Sequence, residues 1–287
     1  MAIDYEKLKN RHFEPIEHSY TTDQAILYAL GLGFGSEPFD DNELRFTFEE
    51  EGFDAVPTIA VVLAHPGFWV REPDSGVDWV KVLHGEQGII WHKPMPPSAT
   101  VIGQTRVVDV IDKGEGKGAL IYSEKTLMDK ATGDLLATTT STTFARGDGG
   151  FGGPSGPLKE VHKLPDRKPD RFVDIQTLPQ SALIYRLSGD HNPLHASPKV
   201  AKAAGFEKPI LHGLCTLGVA GRAILQEICK YDVARMKTLD LRFSSPVYPG
   251  ELIRTEIWED GDTVSFRARI PDRDVVVLNN GKVTLNG

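Results

Sequence analysis

The chain has 287 residues, of which 40% are hydrophobic and 25% are charged; this is an ordinary globular composition, long enough for one large domain or two of about 140 residues. The formal net charge of -8 argues against general binding to nucleic acid or anionic membranes, although a local basic patch for one phosphorylated ligand stays allowed. The charged N-terminal segment lacks the core of a signal peptide, and no apolar run approaches the length that crosses a bilayer.

Two segments of the chain resemble each other. Residues 22–31 (TDQAILYALG) share an Ala-x-x-Tyr-x-Leu pattern with residues 179–189 (PQSALIYRLSG). Pro57, which precedes an apolar run, has a counterpart in Pro209. We therefore predict one structural unit present twice, with a long central helix after each proline.

Each predicted central helix is followed by strand patterns, which short turns separate as in an antiparallel sheet. The predicted strands are residues 88–93, 100–112, 118–128 and 135–144 in the first half, and residues 238–243, 251–258, 264–270 and 275–285 in the second. Two long helices in an otherwise strand-rich chain indicate an α+β protein in which a sheet wraps each helix.

A Gly-rich segment separates the two halves. Residues 146–157 contain too many glycines for regular structure, and the chain stays polar and Pro-containing to about residue 171. We predict an N-terminal unit at 1–150, a linker at 151–171 and a C-terminal unit at 172–287. For this linker we favour a flexible connection between the two units over the alternative, a Gly-rich segment that lines a ligand site.

A short loop places an acid and an imidazole close together in the second half. Residues 188–195 read SGDHNPLH, so Asp190 and His195 are five positions apart. Pro193 pushes Asn192 toward extended geometry, which excludes a regular helix here. The sequence therefore predicts a loop that presents Asp190 and His195 together.

An amphipathic helix is predicted to begin at Gly213. Its buried face would carry the apolar and small residues Leu214, Leu217, Gly218, Gly221, Leu225 and Ile228. The free amides at such a helix start can receive an anion, the amide of Gly213 among them. A carboxyl, an imidazole and these amides together are suited to proton chemistry beside a carbonyl.

The strings YRLSGDHNPLH (residues 185–195) and GFEKPILHGLCT (residues 205–216) resemble the (R)-specific enoyl-CoA hydratases, also called hydratase 2 or MaoC-like dehydratases. The resemblance covers nearly the whole chain and is nearest to the branch in which two hot-dog units are fused. It implies a double hot-dog fold. It also implies reversible hydration of a trans-2-enoyl-CoA to a (3R)-3-hydroxyacyl-CoA, with no metal or redox cofactor.

The resemblance implies a catalytic set of Asp190, His195, Asn192 and Gly213. Asp190 and His195 would handle the water and the proton at Cα, and the Gly213 amide would bind the thioester oxygen. From the residues alone, other roles stay open: Asp190 as a loop cap, Asn192 as a turn former and Gly213 as a helix start. A metal held by Asp190, His191 and His195 is disfavoured, because no Cys or Glu cluster accompanies them.

The two units are not chemically equal. Residues 30–35 (LGLGFG), the counterpart of the catalytic loop, contain neither Asp nor His, so one active site per chain is expected. The resemblance implies that the first unit binds acyl-CoA instead. The residues that match acyl-CoA contacts of the family are His84, Gly85, Lys113 and Phe243.

Two other functions use the same kind of pocket, hydrolysis by an acyl-CoA thioesterase and acyl-CoA binding without catalysis. Acyl-CoA is the expected partner, a homodimer is allowed, and neither nucleic acid nor a membrane is expected to bind. The final residues, 284–287, differ from the peroxisomal Ser-Lys-Leu signal. A bacterial cytoplasmic location is therefore expected rather than a peroxisomal one.

Overall fold

A computed structural model describes residues 2–37, 39–50 and 52–287. Within these residues ten strands are present: β1 (Ile16–Tyr20), β2 (Val82–Trp91), β3 (Ala99–Asp112), β4 (Ala119–Asp129), β5 (Leu135–Ala145), β6 (Arg171–Gln176), β7 (Met236–Phe243), β8 (Leu252–Asp260), β9 (Thr263–Ile270) and β10 (Val275–Leu285). All the strand pairs are antiparallel.

The same described residues form six α-helices: α1 (Tyr5–Lys9), α2 (Thr22–Gly31), α3 (Asp41–Leu44), α4 (Ser181–Tyr185), α5 (Pro198–Ala203) and α6 (Gly213–Glu227). Short 3-10 helices occupy Pro57–Val61, Trp69–Arg71, Pro73–Ser75, Trp79–Lys81, Arg186–Ser188, Pro193–His195, Val233–Arg235 and Pro271–Arg273. None of the helices in this part of the chain combines the length and apolar character needed to span a membrane.

The ten strands form one continuous sheet in the order β1-β3-β4-β5-β2-β7-β10-β9-β8-β6. Read from each outer edge of the sheet inward, both halves place their strands in the same order: first, third, fourth, fifth and second along the chain. The second strand of the first half, β2, pairs with the second strand of the other half, β7. Gly88 lies opposite Asp240 in that pair. The duplication and the double hot-dog architecture are thus confirmed.

All eight predicted strands are present; seven differ by at most two residues at either end, and β2 begins six residues before the predicted start at residue 88. Strands β1 and β6 were not predicted. Both missed strands are short edge strands in which polar and apolar side chains are mixed, as in IEHSY of β1. Edge strands often carry polar residues that discourage further pairing, and this composition weakens the sequence signal of a strand.

Helix α6 is the long central helix of the second half, and it begins at Gly213 as predicted. Its residues from Cys215 to Leu225 are all buried. Two glycines allow the first half to approach it closely. A Cβ on Gly218 would lie 2.5 Å from a methyl of Leu32, and one on Gly221 would lie 2.9 Å from the methyl of Thr58. Larger residues there would separate the halves.

The long helix predicted after Pro57 is not present. The chain forms only the 3-10 helix Pro57–Val61, and Ala64 then adopts the left-handed conformation with φ of 46°. Pro66 follows almost at once and restricts His65 to extended geometry, so a helix cannot continue. The second half therefore contributes the only long central helix of the described structure.

The repeated Ala-x-x-Tyr-x-Leu segments become α2 and α4, which pack against each other. A capping box between Thr21 and Gln24 begins α2. Tyr28 of α2 and Tyr185 of α4 are fully buried, with their ring centroids 5.7 Å apart. The sequence repeat therefore marks where the two units meet.

The linker is fixed along its path, in contrast to the flexible crossing favoured from its composition. Asp112 of β3 accepts hydrogen bonds from the amides of Gly150 at 2.7 Å and Gly152 at 2.8 Å. Further on, His162 is bonded to Ser265 of β9 at 2.8 Å. Glycine supplies backbone amides without side-chain hindrance, so the same residues that suggested mobility allow the anchoring.

A buried ion pair joins α6 to the first half. Arg222 of α6 and Glu43 of α3 are 5% and 2% exposed, and they form a direct salt bridge. Glu43 also accepts the Gly35 amide at 2.8 Å, and Arg222 donates to the carbonyl of Leu32 at 3.3 Å. Most of the polar atoms of the pair thus have partners, which a buried charge requires.

We expect Glu43→Leu to lower the free energy of unfolding by about 3–5 kcal/mol, because it leaves the Arg222 charge buried and uncompensated. Urea unfolding followed by tryptophan fluorescence measures this change. The control is Glu49→Gln, at an exposed residue of the same segment, which should shift stability by less than about 0.5 kcal/mol. Wild-type stability in Glu43→Leu would contradict the role of the pair.

Candidate active site

Two successive turns shape the loop that carries Asp190 and His195. Asp190 Oδ1 accepts the Asn192 amide at 3.1 Å, and Asn192 Oδ1 accepts the Leu194 amide at 3.0 Å. Asn192 has the extended ψ of 121° expected before Pro193. Asn192 is thus a turn former in this structure; its place in the catalytic set stays a prediction.

The surroundings of His195 determine which of its nitrogens can act. The ring is 8% exposed, and its Nδ1 lies 2.9 Å from the carbonyl oxygen of Ile210. Because a carbonyl only accepts, Nδ1 carries the proton and Nε2 keeps its lone pair. Burial lowers the pKa of His195, against the opposing effects of the Ile210 carbonyl and the Asp190 carboxylate. The ring is therefore neutral at pH 7 and can take a proton.

Asp190 and His195 are close together, as the loop sequence predicts. A carboxylate oxygen of Asp190, a ring nitrogen of His195 and a ring nitrogen of His212 all lie within 4.8 Å of one another. No direct hydrogen bond joins the side chains of Asp190 and His195 in the described structure. A water molecule with two ordinary hydrogen bonds can span such a gap.

His212 is a site residue that the sequence reasoning missed. It is 1% exposed, it precedes the first residue of α6, and its Nε2 donates to the main-chain carbonyl of Asp190 at 3.1 Å. Its ring stacks on His195 with centroids 3.8 Å apart. Burial, followed by the proximity of His195, lowers the pKa of His212 to about 4. The available signal was its position beside Gly213 at the helix start.

The side chains here that could bind a metal ion are not the three that the sequence suggested, Asp190, His191 and His195. His191 is exposed, and His212 takes its place beside Asp190 and His195. The rings of His195 and His212 lie face to face, with an angle of 28° between their planes. That no metal binds here stays a prediction.

Two of the residues assigned to substrate binding, Phe243 and His84, lie at the start of α6, and a third, Gly85, is the neighbour of His84 in the chain. The Phe243 ring packs on Gly213, where an added Cβ would lie 3.1 Å from a ring carbon. The rings of Phe243 and His84 are 4.6 Å apart, and Gly85 follows on β2. As the first residue of α6, Gly213 has an amide without an intrahelical acceptor.

Lys113 lies further away. It is exposed, and its ammonium lies 4.9 Å from the centre of the Phe144 ring. Phe144 of β5 is opposite Leu83 of β2, the neighbour of His84. The structure therefore places Lys113 near the strand that carries His84 and not beside Asp190, and its contact with CoA stays a prediction.

Two further histidines face the same space. The side chains of His65 and His84 are exposed to solvent yet closely surrounded by protein, as on the wall of a cleft. This surrounding protein lowers the pKa of both rings, and the nearby Asp190 carboxylate opposes the change. His65 is not among the site residues that the sequence predicts, because its partners are distant along the chain.

Comparison with known proteins identifies the family. Residues 160–279 match the family model "MaoC like domain", and residues 18–147 match "MFE-2 hydratase 2 N-terminal domain". The 3-hydroxyacyl-thioester dehydratase Y of Mycobacterium tuberculosis is 42% identical to this chain, over 99% of this chain and 98% of that protein. The chain belongs to the MaoC-like dehydratase family.

Other MaoC-like relatives match over nearly the whole length. The peroxisomal enoyl-CoA hydratase 2 of Arabidopsis thaliana is 37% identical over 94% of this chain and 91% of that protein. The crystal structure of a MaoC-like dehydratase from Phytophthora capsici superposes with a TM-score of 0.88 at 34% identity, covering 99% of this chain and 98% of that one. The resemblance seen in the sequence is thus confirmed at the level of family and fold.

Replacing His212 tests the hydrogen bond from its Nε2 to the Asp190 carbonyl. His212→Gln places an amide near the Nε2 position and keeps a donor for the Asp190 carbonyl, whereas His212→Asn places it near Nδ1. We expect His212→Asn to lower kcat by about a hundredfold through misplacement of the Asp190 loop, and His212→Gln to lower it much less. Enoyl-thioester absorbance measures turnover, and thermal melting checks the fold. Equal losses in the two variants would contradict this role.

Proposed function

We propose that this chain catalyses the reversible hydration of a trans-2-enoyl-CoA to a (3R)-3-hydroxyacyl-CoA. The observation that carries the proposal is that a ring nitrogen of the buried His195 lies within 4.8 Å of a carboxylate oxygen of Asp190. Gly213, whose amide begins α6, directly follows His212, the third residue of this cluster. The names of the relatives, an enoyl-CoA hydratase 2 and a 3-hydroxyacyl-thioester dehydratase, support the proposal.

The proposed reaction needs one water and no cofactor. Asp190 and His195 hold the water, and the catalytic pair takes one of its protons as the oxygen bonds to Cβ of the substrate. The electron pair of the double bond moves toward the thioester, whose oxygen is stabilised by the Gly213 amide. Asp190 then gives a proton to Cα, and the new hydroxyl keeps the other proton of the water.

The remaining site residues would position the thioester. Phe243 and His84 form an aromatic wall beside Gly213, where a flat conjugated enoyl group can pack. Fixing the substrate in this way brings Cβ to the water and the thioester oxygen to the amide together, and such orientation supplies a large part of enzymatic rate enhancement.

We expect Asp190→Asn or His195→Gln to reduce hydration of crotonyl-CoA by at least about a hundredfold, because each keeps the size of the side chain while removing proton transfer. The control is His191→Gln, in the same loop but exposed, which should keep near-normal turnover. The assay follows enoyl-thioester absorbance together with free thiol. Near-normal turnover in either catalytic variant would overturn the assignment, and thiol release by the wild type would indicate a thioesterase.

The product should be the (3R) alcohol. The Gly213 amide fixes the thioester and the catalytic pair fixes the water, so only one face of the enoyl plane can react. The resemblance to the (R)-specific enoyl-CoA hydratases implies that this face gives the (3R) product. The purified protein is incubated with crotonyl-CoA and coupled to dehydrogenases specific for each 3-hydroxyacyl-CoA enantiomer. A signal mainly with the (3S)-specific dehydrogenase would contradict both the mechanism and the stereochemistry.

A further inference from the structure

A buried lysine without an acidic partner lies in the first half. Lys125 of β4 is 6% exposed, and its ammonium donates to the main-chain carbonyls of Ala60 at 3.3 Å, Val61 at 3.4 Å and Leu63. No carboxylate pairs with it among the described residues, and burial lowers its pKa to about 7. A buried cation of this kind is costly and is not needed for the proposed reaction.

The three carbonyls lie where the structure of the first half differs from that of the second. They lie at the end of the 3-10 helix Pro57–Val61 and just beyond it, where a long central helix would otherwise continue. Carbonyls at the end of a helix lack intrahelical donors and carry partial negative charge. Lys125 supplies the missing donors and so stabilises the early end of this helix.

Two further contacts hold the same turn, residues 60–64. The Ala64 amide donates to Nδ1 of His18 on β1 at 3.1 Å. Ala64 also lies directly over Gly103 of β3, where an added Cβ would come within 2.5 Å of the Ala64 methyl. The turn is therefore held from β1, β3 and β4 together.

The turn forms one wall of a cavity between the two halves, with a volume of about 140 Å³. Val62 and Leu63 line it from the turn, Tyr28 lines it from α2, and Leu187 and Gly189 line it from the segment that leads to Asp190. The polar side chains of His18, Gln24 and Ser188 also line the cavity. Its volume is close to that of a cavity of about 150 Å³ that holds benzene, which has six carbon atoms. The space thus suits a similar length of acyl chain.

We propose that Lys125 is a positioning residue that determines which acyl chains the enzyme accepts. By holding the turn 60–64, it fixes Val62 and Leu63 as the wall against which the carbons beyond Cβ pack. This inference rests on the proposed hydration of enoyl-CoA. Lys125 touches neither Asp190 nor His195, so it affects substrate fit and not the chemical step.

The test compares a short and a medium-chain substrate. Lys125→Met keeps the length of the side chain but removes the ammonium. We expect kcat/KM for octenoyl-CoA to fall at least about tenfold, mainly through KM, while kcat for crotonyl-CoA stays within about twofold. Equal losses on the two substrates, or no loss on octenoyl-CoA, would overturn the proposal.

A second pair of variants keeps the test decisive if Lys125→Met does not fold. His18→Leu removes the acceptor for the Ala64 amide at a partly exposed edge strand, and His18→Asn retains an acceptor near Nδ1. His18 also lines the cavity, and because both variants shorten its side chain, a difference between them reports the lost acceptor. We expect the chain-length effect in His18→Leu and near-wild-type selectivity in His18→Asn; the same selectivity in both would count against control by the turn.

Binding measurements separate this proposal from the hydratase function. Calorimetry with the unreactive octanoyl-CoA and butyryl-CoA compares chain lengths without turnover. Selective loss of octanoyl-CoA affinity in Lys125→Met supports the role of the turn even if the wild type hydrates neither enoyl substrate. If the wild type is an active hydratase and Lys125→Met leaves the ratio of the two affinities unchanged, the role of Lys125 is overturned and the hydratase function stands.

Discussion

The structure depends on the packing of helix α6 against the first half of the chain. Gly218 and Gly221 allow that approach, and the buried pair of Arg222 with Glu43 ties the helix to it. The same helix begins at Gly213, directly after His212, which binds the Asp190 loop. One helix therefore positions both the Gly213 amide and the loop that carries Asp190 and His195, and its packing partner is the half whose counterpart of that loop contains neither Asp nor His.

Much of the fold could be predicted because it rests on local patterns. Alternating side chains marked eight strands, and the apolar spacing after Gly213 marked α6. The missing central helix of the first half was harder to foresee, since the apolar run after Pro57 is helix-like and only Ala64 and Pro66 interrupt it. Edge strands β1 and β6 carried weak signals because solvent exposure permits polar residues there.

The site was predictable only where the chain itself brings residues together. Asp190 and His195 share one loop, so their proximity followed from the sequence. The stacking of His212 on His195 depends on how α6 meets that loop, and the carbonyl contacts of Lys125 join residues more than sixty positions apart. Contacts of this kind are set by tertiary packing, and no spacing rule within a single chain reveals them.

The pairing of β2 with β7 makes one sheet from two units, and this has a consequence for biosynthesis. When the first half leaves the ribosome, β2 has its partner β5 on one side but an unpaired edge on the other, since β7 is made only near the end of the chain. An open strand edge readily pairs with other chains. The nascent protein thus carries a temporary site for aggregation, and a chaperone or rapid completion of synthesis would protect it.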